Sequence, residues 1–125
     1  MIHLDTTVLV DALTGARRSG PALREMFERG ERVALSAVVL YEWLRGPRRE
    51  VEIVDQEALF PLDQAQPFGA REAAVAAGLY RQVSRARDRE FDLAVAACAL
   101  TSGATLWTLD KADFRDIPGL ILFEG

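Results

Sequence analysis

Three short apolar stretches, IHL at 2–4, RVALS at 32–36 and ATLWTL at 104–109, are separated by segments that read as helices. Parallel strands need long crossovers, usually helices, and a parallel sheet is covered by helices on its faces. The alternation therefore confines the chain to an α/β fold with a mainly parallel central sheet. One helix is predicted from about Thr6 to Leu13. A second covers 20–30, with Pro21 at its start and Gly30 at its end. Ser36 is placed to cap a third through AVVLYEWLR, which stops at Gly46-Pro47. REVEIVDQEAL is ambiguous, with helix the better fit, and FPLDQAQP is a connection. A long helix is expected over 68–87 and another over EFDLAVAACALTSG, then a helical turn at KADFRD and a last strand at GLILFE. With 125 residues, no repeat and no linker, residues 1–125 form one domain.

Half of the residues are hydrophobic and 27% are charged, the balance of a globular chain. The one cysteine, Cys98, lies within LAVAACAL and reads as a small buried hydrophobe, so nothing points to an oxidising compartment. The uncharged run from Leu93 to Leu109 is broken by TSGAT and is short for a membrane span. The opening residues are strand-like and carry a charge, unlike a signal peptide, so a soluble cytoplasmic protein is expected. A net charge of −4 argues by itself against nucleic-acid binding. The arginines, however, cluster at 17–18, 45–49 and 81–89, as solvated helix faces or as a rim for phosphates.

Four acids stand in apolar company: Asp5 after MIHL, Glu42 inside VVLYEWL, Asp92 inside FDLAVAACAL and Asp110 after ATLWTL. A carboxylate buried among apolar groups is costly unless paired, hydrogen-bonded or metal-bound. In open parallel α/β sheets the functional crevice lies beyond the carboxyl ends of the strands. Asp5 and Asp110 follow such ends, Glu42 lies two turns into the helix after the second strand, and Asp92 lies in the first turn of a helix apolar nearly all round. Carboxylate oxygens with water suit Mg²⁺ or Mn²⁺, whereas one histidine and one cysteine make zinc a poor fit. Each acid also has a plainer reading. Asp5 and Asp110 could be helix N-caps, the latter with Asp113 as its capping-box partner, and Asp92 could only complement a helix dipole. Asp11 and Asp55 have apolar neighbours too and are read as exposed or helix-end positions.

MIHLDTTVLVDAL, LSAVVLYEWLRG and DREFDLAVAACALTSGATLWTLDKADFRDIPGLILFE, in this order, resemble the PIN-domain family, specifically VapC-like ribonuclease toxins of bacterial toxin–antitoxin pairs. The resemblance spans essentially the whole chain. It implies a three-layer α/β/α fold and a metal-dependent endoribonuclease whose four acids, Asp5, Glu42, Asp92 and Asp110, bind Mg²⁺ or Mn²⁺ and cut RNA. Thr6 and Thr108 fall on the small polar positions beside them. The family often has Asn at the position of Thr6, where a hydroxyl can still position water. Asp113 occupies a position often acidic in the family and competes with Asp110 as fourth ligand; Asp110 is favoured because it closely follows the strand. The resemblance further implies a VapB-like antitoxin laid across the cleft and a homodimer. Without the four site acids the chain would be neutral, and Arg45, Arg85, Arg87 and Arg89 are then candidates for RNA phosphates.

Other classes compete. Asp55 and Lys111 mimic a receiver domain, but Asp5 is followed by Thr6-Thr7 instead of a second acid. A haloacid-dehalogenase-like phosphatase would carry an acid at Thr7. A non-catalytic acidic binding module is the remaining alternative; it differs in binding no catalytic metal and turning over no RNA.

Overall fold

The computed structural model describes residues 1–124. Three parallel strands form the sheet, β1 (Ile2–Leu4), β2 (Val33–Ala34) and β3 (Thr105–Trp107), in the order β2-β1-β3. Ile2 pairs with both Val33 and Thr105, and Leu4 with Trp107. Six α-helices complete the three-layer α/β/α fold: α1 (Thr6–Leu13), α2 (Gly20–Glu28), α3 (Ala37–Arg45), α4 (Glu50–Leu59), α5 (Ala70–Gln82) and α6 (Glu90–Ser102). All three residues of β1 are buried, as expected of a central strand covered on both faces.

Local chemistry sets the helix ends. The Ser36 hydroxyl accepts from the Val39 amide, the expected cap of α3. Gly103 ends α6 in the left-handed conformation at φ +65°, where its backbone N–H reaches back to the last turn. Between them α6 is buried along Leu93 and Val95–Ala99, so the helix that is apolar all round does run through the core. Trp43, Phe114 and Leu106 are each essentially inaccessible, and burial of such side chains is worth roughly 1.5–3 kcal/mol apiece. Cys98 is fully buried, and its thiol is pushed up to about 11 by that burial.

Two expectations are corrected. The helix predicted over 68–87 spans only Ala70–Gln82: the chain turns extended at Val83 (φ −81°, ψ 150°), and Arg85 then takes a positive φ of 53° that a helix cannot accommodate. The strand expected at GLILFE reduces to one bridge, Leu106 with Leu122. Leu106 donates its N–H to Ile121 and accepts from that of Phe123, and Pro118-Gly119 immediately upstream breaks any longer pairing.

Candidate active site

The carboxyl ends of β1 and β3 lie side by side, and the Asp5 amide donates to the Trp107 carbonyl at 2.8 Å. This register brings Asp5, just past β1, against Thr108, just past β3. Asp5 is 5% exposed. It occupies the N-cap position of α1 but makes no side-chain capping bond. Its Oδ2 instead accepts from the Thr108 hydroxyl at 2.7 Å and the Thr7 hydroxyl at 2.9 Å. Burial raises the Asp5 pKa; these hydrogen bonds oppose the shift and the charge of Asp110 adds to it. The capping reading of Asp5 is therefore replaced by that of a buried carboxylate clasped by two hydroxyls.

Glu42 stands in α3 with its side chain 19% exposed. The Thr6 hydroxyl donates to its Oε1 at 2.8 Å, tying α3 to the start of α1, and Arg45 lies 3.7 Å from its Oε2. Asp92 is in the first turn of α6, and its carboxyl is pushed up to about 6. Burial is the largest cause, followed by the charges of Asp5, Asp113 and Glu42, with Arg89 pulling the other way. Four carboxylates from four parts of the chain thus share one electrostatic neighbourhood.

Asp110 and Asp113 flank one 3-10 turn, Lys111–Asp113, and both are exposed. Asp110 makes no capping bond, so the expected capping box is absent. The two divide the neighbourhood between them: Asp110 acts on Asp5, and Asp113 on Asp92. As the side chains stand, no three acidic, histidine or cysteine groups among the described residues converge closely enough to hold a metal ion. The donor set is nevertheless all oxygen, and two of its members, Asp5 and Asp92, have ionisation made costly by burial and by neighbouring acids. A hard divalent cation relieves that cost, so the chemistry of this donor set fits Mg²⁺ or Mn²⁺.

Thr6, Glu42 and Asp110 line an open cleft of about 640 Å³ that runs past Asp11 to Arg18. Sequence reasoning missed two residues here. Thr7 bonds Asp5 and accepts from the Leu109 amide, and its signal was the hydroxyl two residues after the acid. Arg18 was visible only as part of the 17–18 pair. Asp11 falls in the last turn of α1, the helix-end position expected of it, but is half-buried, accepts from the Ser19 hydroxyl at 2.6 Å and borders this cleft, whereas Asp55, read the same way, lies mid-α4 and half-buried.

The expected RNA-contacting arginines separate. Arg85 and Arg87 are exposed and form no ion pair among the described residues. Arg45 is held between Glu42 and two aromatic rings. Arg89 is committed inside the fold, donating to both Asp116 oxygens at 2.9 and 2.7 Å and to the carbonyls of Ser84 and Asp113. It anchors the acidic turn and has little left to offer a phosphate. The receiver-like alternative falls too, because Asp55 lies within α4 paired with Arg17, and Lys111 pairs with Glu124.

A sequence profile of the PIN domain matches residues 2–120. Ribonuclease VapC19 of Mycobacterium tuberculosis is 33% identical over 94% of each chain. Among solved structures, a DNA-bound VapBC from Salmonella typhimurium is similar with a TM-score of 0.77 at 18% identity, over 98% of this chain and 96% of the other. A toxin–antitoxin complex from Klebsiella pneumoniae has a TM-score of 0.73 at 22% identity, over 97% and 96%.

Proposed function

The chain belongs to the PIN-domain family and is VapC-like, and on that premise we propose that it is a divalent-metal-dependent endoribonuclease acting in the cytoplasm as the toxin of a toxin–antitoxin pair. Asp5, Glu42 and Asp92 would hold Mg²⁺ or Mn²⁺, with Asp110 as the fourth acid and Asp113 supporting Asp92. The observation that carries this reading is the buried Asp5 carboxylate beyond β1, clasped by Thr7 and Thr108, with Glu42 tied to the same end through Thr6; burial and three other acids also push the Asp92 carboxyl up to about 6. Perturbed carboxyls gathered from a strand end and neighbouring helices are what an active site builds.

A bound divalent cation would make an attacking water more acidic and offset the charge developing on the phosphate. The protein's own groups do the rest. Thr7 and Thr108 fix the Asp5 carboxylate so that one oxygen is committed to hydroxyls. Thr6 keeps Glu42 turned toward the β1 end. Exposed Arg85 and Arg87, with Arg45 beside Glu42 and Arg18 along the cleft, would take phosphates on either side of the scissile one.

The partner follows from the same charges. An antitoxin arginine placed against the acids would pair with two carboxylates and exclude the metal. We expect a VapB-like antitoxin to lay its C-terminal segment there, and two copies of this chain to assemble. No helix among the described residues is long and apolar enough to cross a membrane.

The test is RNA cleavage with Mg²⁺ or Mn²⁺ and with EDTA. Cleavage that requires the metal supports the nuclease. Cleavage that persists in EDTA refutes the metal site, and no turnover with either metal would favour the acidic binding module.

A further inference from the structure

Next to the acids lies a feature that the cleavage chemistry does not use. Tyr41 precedes Glu42 in α3 and Phe91 precedes Asp92 in α6, and the Arg45 side chain ties the two rings to Glu42. The rings stack at a centroid distance of 5.9 Å with planes 17° apart. They remain 54% and 42% exposed. The Arg45 guanidinium stands 4.9 Å from the Phe91 centroid and 5.4 Å from that of Tyr41, while also facing Glu42.

Single exposed aromatics need no explanation. A stacked pair left open to solvent, with a cation fixed on it and a carboxylate site one residue away on each helix, has the make-up of a surface for single-stranded nucleic acid. Such surfaces combine aromatic faces for bases with arginine for the backbone. Charge selects the occupant: the open rings offer stacking area to any flat apolar group, but Arg45 adds attraction for a phosphodiester.

We propose that Tyr41, Phe91 and Arg45 form a stacking platform for an unpaired base of the RNA, next to the scissile phosphate. This would make the protein select single-stranded segments and would set the register of cutting from the stacked base. The proposal rests on the ribonuclease reading above, and its test is chosen to fail separately from it.

The experiment measures binding of a short labelled single-stranded oligoribonucleotide to the full-length protein in EDTA, where no metal-dependent cleavage occurs. The same sequence is also offered as a duplex and with one nucleotide at a time made abasic. Tyr41→Ala and Phe91→Ala should each weaken single-strand binding about 10-fold, within the range of one base–aromatic stack. Tyr41→Trp should restore it, and Tyr41→Leu, similar in bulk but without a π face, should not. At one position the abasic strand should bind wild type and Tyr41→Ala equally. Equal binding of all variants, equal rescue by Leu and Trp, or wild-type binding no tighter to single strand than to duplex overturns the platform. Sedimentation of Tyr41→Ala and Phe91→Ala as monomers beside a dimeric wild type would assign the face to a second copy and also overturn it. Metal-dependent cleavage is scored in a parallel sample: its absence in wild type refutes the nuclease and leaves the binding result standing.

Discussion

Asp5 and Glu52 are equally buried, each 5% exposed, and their surroundings treat them in opposite ways. Glu52, in α4, accepts from the Arg49 backbone N–H at 2.8 Å and from the Arg49 guanidinium at 3.2 Å. Its pKa is lowered, first by that backbone bond and then, against burial, by the Arg49 side chain. Asp5 has neutral hydroxyls around it and another acid, Asp110, acting on it, and its pKa is raised. The capping pair at α4 removes the cost of a buried charge. The site at β1 leaves that cost in place, as a protein does where catalysis needs the charge.

The sharpest way to break this comparison is to neutralise each acid in turn. Asp5→Asn should lower metal-dependent cleavage at least ~100-fold, because a lost metal contact removes several kcal/mol of transition-state stabilisation. Glu52→Gln should cleave within about twofold of wild type yet melt a few degrees lower, since it weakens a helix cap. Cleavage rates and thermal midpoints of both proteins give the answer. Equal loss of activity in the two would mean that Asp5 matters only as part of the fold.

That contrast also marks what the sequence could reveal. Asp5 and Asp92 are conspicuous in the sequence because their neighbours are apolar; the parallel α/β pattern places Asp5 at a strand end and Asp92 in the first turn of a buried helix. Glu52 has the same burial but escaped notice, since a cation three residues upstream in a helix looks like ordinary surface charge. The pairing of Arg89 is hidden for a related reason: its partner Asp116 lies 27 residues further on, a separation with no periodic signature. The end of α5 at Gln82 is hidden because no glycine or proline marks the extended Val83 or the positive φ of Arg85 that follows. Asp110 and Asp113 are three residues apart on one short turn, so spacing alone does not separate them; only the charges they act on, Asp5 for the one and Asp92 for the other, do.

A smaller effect concerns pH. The Asp92 carboxyl is raised from 3.8 to about 6, so between those values the folded protein binds more protons than the unfolded chain. Metal-free stability should therefore fall as pH rises from about 4 to about 6, with the full penalty present above. A shift of that size corresponds to at most about 3 kcal/mol, and partial exposure of the group screens it to about 1–2 kcal/mol. In EDTA, Asp92→Asn should match wild type near pH 4 and melt increasingly higher than wild type toward pH 7. A difference that stays constant across this range would show that Asp92 ionises without hindrance.

The smallest effect tests the same logic at the buried end of the pair. Asparagine at position 5 keeps an oxygen that can accept from Thr7 and Thr108, and it removes a charge that burial and Asp110 both disfavour. It also introduces an amide whose donors need partners, which offsets part of the gain. Without metal, Asp5→Asn should melt at the wild-type temperature or higher, by no more than about 1 kcal/mol or a few degrees in a domain of this size. Millimolar Mg²⁺ should raise the wild-type midpoint by mass action and raise that of the variant much less. Glu52→Gln provides the control, since its cost should be the same with EDTA and with Mg²⁺. Should Asp5→Asn instead lose stability in EDTA as Glu52→Gln does, the two threonines hold Asp5 for the fold's sake, and the contrast between the two buried acids disappears.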